Sequence, residues 1–247
     1  MTGAILTALF FAGNAVCARR AALHYGGTTG NFLRLVLAAA LLGAWAHTAG
    51  QGWGGGAFAW FLVSGAIGFG LGGLAMFHAL ALIGSNLSML IVQCGSAVAA
   101  AAAEWLWLDT RLSAAQAGLA ALTLAGVLLA LLQPTGPRQP VGPGPGRRTT
   151  GFVLGVALAV LSAVAQGGGA VLSRKAFAVL HGRGFFLDAA TSAYQRALGG
   201  LAVGALALLV ISLRPGTEPA VVAELAPVPA RALPPWAWVV LLSLIHI

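Results

Sequence analysis

Two arginines stand where a guanidinium is expensive. Arg34 lies in NFLRLVLAAALLGAWA at 31–46 and Arg196 in TSAYQRALGG at 191–200, each a few residues inside a long apolar run. A lone cation in such surroundings either snorkels to a polar boundary on its own stem or faces inward, toward an anionic or polar group on a substrate. Glu104, at the head of EWLWLDTRLS, is their acidic counterpart, and turned toward a cavity it would be a proton carrier. Trp105 and Trp107 beside it are typical of a membrane interface. Asp109 and Arg111 fall in the turn that follows, where a helix-end contact or a local pair accounts for them. Neutral polar groups recur in other apolar runs: Asn14, Ser64, His78, Asn86, Gln93, Ser96, Ser162 and Gln166. Such groups bond between helices or line a solute path. Asn14, Gln93 and Gln166 join Arg34, Glu104 and Arg196 as substrate-path candidates.

Enzyme chemistry is poorly served by the same inventory. Ser64 lacks the sharp nucleophile turn and a positioned base, and His78 has no acid at i+3 or i+4. Five acids in the whole chain cannot supply the clustered carboxylates of a lipid glycosyl- or phosphotransferase. Cys17 and Cys94 form no CxxC pair, and no glycine run precedes a phosphate-loop lysine. Neither a metal nor a cofactor is expected.

The elements that must position these residues follow from composition. Hydrophobic residues make up 59% of the chain and charged residues 7%, with a mean hydropathy of +0.92. Soluble domains carry about a quarter charged residues. The apolar content recurs in blocks near 2–18, 29–47, 57–80, 85–107, 114–132, 151–172 and 189–212, each close to the roughly 20 residues a bilayer demands. An all-α polytopic membrane protein is expected, with seven complete helices and a partial eighth that begins near Pro235 and stops at Ile247. That last block is too short to span, so the chain reads as a fragment. The net charge of +8 fits lipid headgroups and helix ends better than nucleic acid.

The stretch QPTGPRQPVGPGPGRRTT at 133–150 is too rich in proline and glycine for a helix interior and reads as a linker. It separates a unit at 1–132 from a second at 151–247. AVCARRA at 15–21 resembles AVLSRKA at 170–176, and FLR at 32–34 resembles YQR at 194–196. Five helices per repeat would set the two halves in opposite membrane orientation. Small faces for close helix packing appear at Ser64, Gly68 and Gly72, at Gly118 and Gly126, and at Gly200 and Gly204. Loops after the first, fifth and seventh helices hold more arginine than the others, which favours an outside N-terminus.

With these features in place the chain resembles the EamA-type permeases of the drug/metabolite transporter superfamily. The carrying stretches are AGNAVCARRAA at 12–22, FLRLVLAAALL at 32–42, LWLDTRLS at 106–113, AGLAALTLAGVLLALL at 117–132 and GFVLGVALAVLSAVAQGGGAVLSRKA at 151–176. Asp109 stands where that family commonly has glutamate. The resemblance implies a ten-helix inverted repeat, about three quarters of it present here, and an N-terminus in the cytoplasm, against the loop-charge count. It further implies export of small metabolites, amino acids or drugs across the cell inner membrane by alternating access. A non-transporting scaffold or a solute channel is the alternative. Expected partners are a small-molecule substrate and membrane lipids, with a homodimer allowed and no nucleic acid.

Overall fold

The computed structural model describes residues 2–108, 113–132, 145–213 and 234–246, and every regular element among them is helical. The helices are α1 (Thr2–Tyr25), α2 (Gly27–Thr48), α3 (Phe58–Ile83), α4 (Ser85–Leu108), α5 (Ala114–Leu132), α6 (Pro145–Gly182), α7 (Ala189–Ser212) and α8 (Pro235–His246). Five of them, α2, α3, α4, α6 and α7, are long and apolar enough to cross a bilayer. The chain is an all-α, multi-pass membrane protein. Large apolar side chains such as Leu122 and Leu129 on α5, Leu154 and Val164 on α6, and Leu206 and Leu209 on α7 point away from the protein. Lipid tails are the solvent that such a surface suits.

Helix α3 is the hub, packed against α1, α2, α4, α6 and α7. Further interfaces join α2 to α7, α4 to α6, and α8 to both α1 and α2. One buried apolar cluster collects Cys17, Ala18, Phe77, Leu80, Val92 and Val239. A second holds Phe61, Ala176, Leu180 and Leu187, with Phe61 and Phe177 edge-to-face at 5.0 Å. The middle of α3 departs from regular winding: Ala66–Leu71 is π-helical. A π turn is a local widening that redirects side chains, and such turns recur at functional sites.

Single residues join α1 to α2 and α3 to α4. They are Gly26 and Gly84, at φ 80° and 83°, a left-handed conformation that a side chain makes costly. The connection between α2 and α3 is longer and is tied to α7. Gln195, fully buried, donates to the Gly52 carbonyl at 3.0 Å, and the Thr191 hydroxyl accepts from the Gln51 amide at 3.2 Å. Trp53 completes the tie with ring contacts to His47 and Tyr194.

Helix ends differ from those expected of the apolar blocks. Helix α1 continues to Tyr25, so Arg19 and Arg20 lie within it rather than in a loop, and α6 carries Arg174 and Lys175 inside its length. Apolar runs mark the edge of the hydrocarbon, whereas a helix extends into the headgroups as long as its backbone stays bonded. The linker expected over 133–150 gives way to helix at Pro145, because proline is tolerated in a first turn, where its missing N–H is not needed. Residues 133–144 lie outside the described residues, as do Asp109 and Arg111.

Candidate functional site

A cavity of about 440 Å³ lies between α3, α4, α6 and α7. Its polar lining is Gln93 and Ser96 from α4, Gln166 from α6 and Arg196 from α7, and Gly68 and Phe69 come from the π segment of α3. Ala97, Ala100, Gly167 and Ala170 complete the wall.

Small residues create both the close packing and the space. Each tight approach leaves no room for a side chain. A Cβ on Gly167 would sit 2.6 Å from the Ser96 carbonyl oxygen, and one on Gly169 would sit 2.9 Å from the Gly68 Cα. Helix α7 is locked to α3 still more closely, since a Cβ on Gly65 would fall 1.8 Å from the Arg196 carbonyl oxygen and one on Gly199 1.9 Å from that of Leu62. Real atoms do not approach so closely, so the register of Arg196 against α3 is fixed by backbone contact.

Hydrogen bonds between α3 and α6 add to this. The Ser64 hydroxyl donates to the Gly169 carbonyl at 2.7 Å and lies 2.7 Å from the Ser173 hydroxyl. Ser162 donates to the Gly72 carbonyl at 2.8 Å, and the Gln166 side-chain nitrogen donates to Ser162 at 2.9 Å. Ser64, Gly68 and Gly72 thus all face α6. Gly118 and Gly126, expected to form a packing face on α5, meet nothing within 4 Å among the described residues. Both glycines lie exposed on α5.

The two arginines occupy matching positions in unlike surroundings. Arg196 lines the cavity, its guanidinium 4.4 Å from the centre of the Phe69 ring. Its Nε is buried without a hydrogen-bond partner, and no carboxylate among the described residues pairs with it. Arg34 is only 3% exposed and lies off the cavity. Its Nη2 donates to the Asn31 carbonyl oxygen at 3.1 Å, and its guanidinium lies 5.8 Å from the Phe77 ring. Asn31, fully buried, passes the contact on by donating to the Phe69 carbonyl at 3.4 Å. His78 and Thr28 form a neighbouring α2–α3 bond at 3.2 Å.

Of the remaining candidates, Gln93 and Gln166 are on the cavity wall. Asn14 is buried in α1 away from the cavity, its side-chain oxygen unpartnered among the described residues. Glu104 is ion-paired with Arg174, which is 67% exposed, and is not on the cavity wall. Phe69 and Asn31 were not singled out from sequence. A lone aromatic between two glycines in GFG, and a polar residue one turn before Arg34, were the available signals.

Fold and site together define a polytopic membrane protein with a largely apolar cavity among its helices, into which the described residues bring two glutamines, a serine and one arginine. The family model of the EamA-like transporter family matches residues 1–132, which take in α1 to α5. This chain belongs to that family. No match was found among curated proteins or among solved structures.

Proposed function

We propose that the protein is a secondary transporter that exports small metabolites, amino acids or drugs across the cell inner membrane by alternating access. The observation that carries this reading is the cavity, which lies midway along α3, α4 and α6 and is lined by Gln93, Gln166 and Arg196. Solute sites at the bilayer midplane between repeats are the common arrangement in such transporters.

Two repeats, a five-helix one at 1–132 and a truncated one at 151–247 of which α6 to α8 are present, with 133–150 between them, fit the contacts between the halves. A shift of five along the helix order exchanges α1 with α6, α2 with α7 and α3 with α8. Under that exchange the α3–α6 interface becomes α1–α8, the α3–α7 interface becomes α2–α8, and the α2–α7 interface returns to itself. Every one of these interfaces is present. Arg34 and Arg196 support the same relation, each being the eighth residue of its helix.

The test is solute flux from proteoliposomes holding the chain, compared with an Ala97→Leu variant that fills the cavity from its α4 wall. Flux that saturates with solute and is lost in Ala97→Leu supports the reading. Flux unchanged by the filled cavity, or a steady ionic conductance in place of saturable flux, overturns it.

A further inference from the structure

We infer that the cavity selects solutes bearing one planar carboxylate, which Arg196 grips in its fork, and that it disfavours cationic ones. The inference rests on the transporter reading above and adds to it the charge and shape of the substrate. Four observations converge on it.

Arg196 is the only charged side chain on the cavity wall among the described residues. The chain offers it no anion among the described residues, because Glu104 is held by Arg174 and Asp188 caps the start of α7. A guanidinium stays ionised, so its charge in a largely apolar cavity calls for an anion from elsewhere. A visiting solute is the available source.

The geometry also chooses the kind of anion. Phe69 lies 4.4 Å from the guanidinium, within stacking reach, and takes one flank of the group. The Nε is buried out of a solute's reach, so the grip falls to the two Nη nitrogens of the guanidinium. A planar fork of donors matches a carboxylate with two parallel bonds. On the α3 side the place beside Arg196 Nη2 is a glycine: a Cβ on Gly68 would lie 3.6 Å from it, so the approach carries no side chain.

The rest of the wall sets the remainder of the solute. Gln93 and Gln166 supply neutral amides, while Ala97, Ala100 and Ala170 are apolar. A dianion would find one cation where it needs two. An amine would meet like charge. A monocarboxylate with a small, mostly apolar body fits the wall and a volume of about 440 Å³.

The test uses the purified chain in lipid nanodiscs with three probes of one shape: benzoate, benzamide and benzylamine. Benzoate is expected to bind about tenfold or more tightly than benzamide, the margin of a charge-assisted pair over a neutral one, with benzylamine weakest. Arg196→Gln should abolish that preference and Arg196→Lys should keep part of it. Equal affinity for benzoate and benzamide, no benzoate binding, or an undiminished preference in Arg196→Gln overturns the proposal. Should Arg196→Gln fail to fold, Ala97→Leu decides, because it fills the cavity without touching the charge: loss of benzoate binding supports the site and unchanged binding overturns it. Flux separates the two readings. Benzoate binding that needs Arg196 but gives no flux upholds the site and removes the transporter. Flux of all three probes, indifferent to Arg196, upholds the transporter and removes the carboxylate preference.

Discussion

Arg34 and Arg196 are joined through two residues, Asn31 and Phe69. The Asn31 side chain that accepts from Arg34 also donates to the Phe69 carbonyl, and the Phe69 ring lies beside the Arg196 guanidinium. One arginine is closed in among side chains and the other is open to a cavity, although both are the eighth residue of their helix. Phe69 belongs to the π-helical segment, so the irregular turn of α3 is where the two environments meet.

Removing the middle of that link should be costly. Asn31→Ala removes one hydrogen bond to the Phe69 carbonyl and one from the Arg34 guanidinium, and a bond of this kind is worth about 0.5–1.5 kcal/mol. Thermal unfolding in detergent should fall accordingly. In a double-mutant cycle with Arg34→Met, a coupling near zero would show that the Asn31–Arg34 bond contributes nothing.

Glycine substitutions should divide by position. Gly65→Ala and Gly199→Ala drive a methyl into a backbone carbonyl on the neighbouring helix, and overpacking of this sort costs about 1–3 kcal/mol or more. Gly118→Ala meets open space and gains helix propensity worth up to about 1 kcal/mol. Monodisperse yield after size exclusion ranks the three, and equal yields would contradict the α3–α7 contact.

Glu104→Gln should change little. Its ion pair with Arg174 is exposed on the arginine side and stands off the cavity, and pairs of that kind contribute about 0–1 kcal/mol and weaken with salt. Stability within that range and solute flux near wild type are expected. Loss of flux with the fold intact would restore Glu104 to the solute path.

Asp188 should give acid sensitivity at the entry to α7. Burial acts to raise its carboxyl, but hydrogen bonds from the Thr191 hydroxyl and amide and from the backbone amides of Asp188 and Ala190 outweigh it and hold the group below the usual carboxylate range. A carboxyl lowered in the folded state stabilises at pH above its unfolded value near 3.8 and loses that effect as pH falls through the folded value. Asp188→Ala should therefore cost about 1 kcal/mol at neutral pH, as for other N-caps. The gap to wild type in thermal unfolding should close progressively below pH of about 4. A gap independent of pH would mean that the carboxylate's charge is immaterial there.

What could be read from the sequence was set by cost. Lipid makes a charge or an amide conspicuous, so Arg34, Arg196, Gln93 and Gln166 stood out in their apolar runs. Phe69 did not, because an aromatic in an apolar block announces nothing about the face it takes, nor does an apolar run announce a π turn. Small residues were visible as a class, yet Gly65 and Gly199 touch backbones while Gly118 touches nothing. Only neighbours distant in sequence decide between those outcomes. Composition alone sufficed for helices and lipid, whereas the ends of α1 and α6 lay beyond the reach of hydropathy, which senses hydrocarbon and not hydrogen bonding.

The single-residue joints at Gly26 and Gly84 have a mechanical consequence. A connection one residue long has no slack, so α1 cannot slide along α2, nor α3 along α4, without breaking helix on one side of the joint. Each pair is a lever hinged at one end, free to change tilt and closed to piston motion. The strap between α2 and α3 is stapled to α7 through Gln195 and Thr191, so tilting either lever pulls on the helix that carries Arg196.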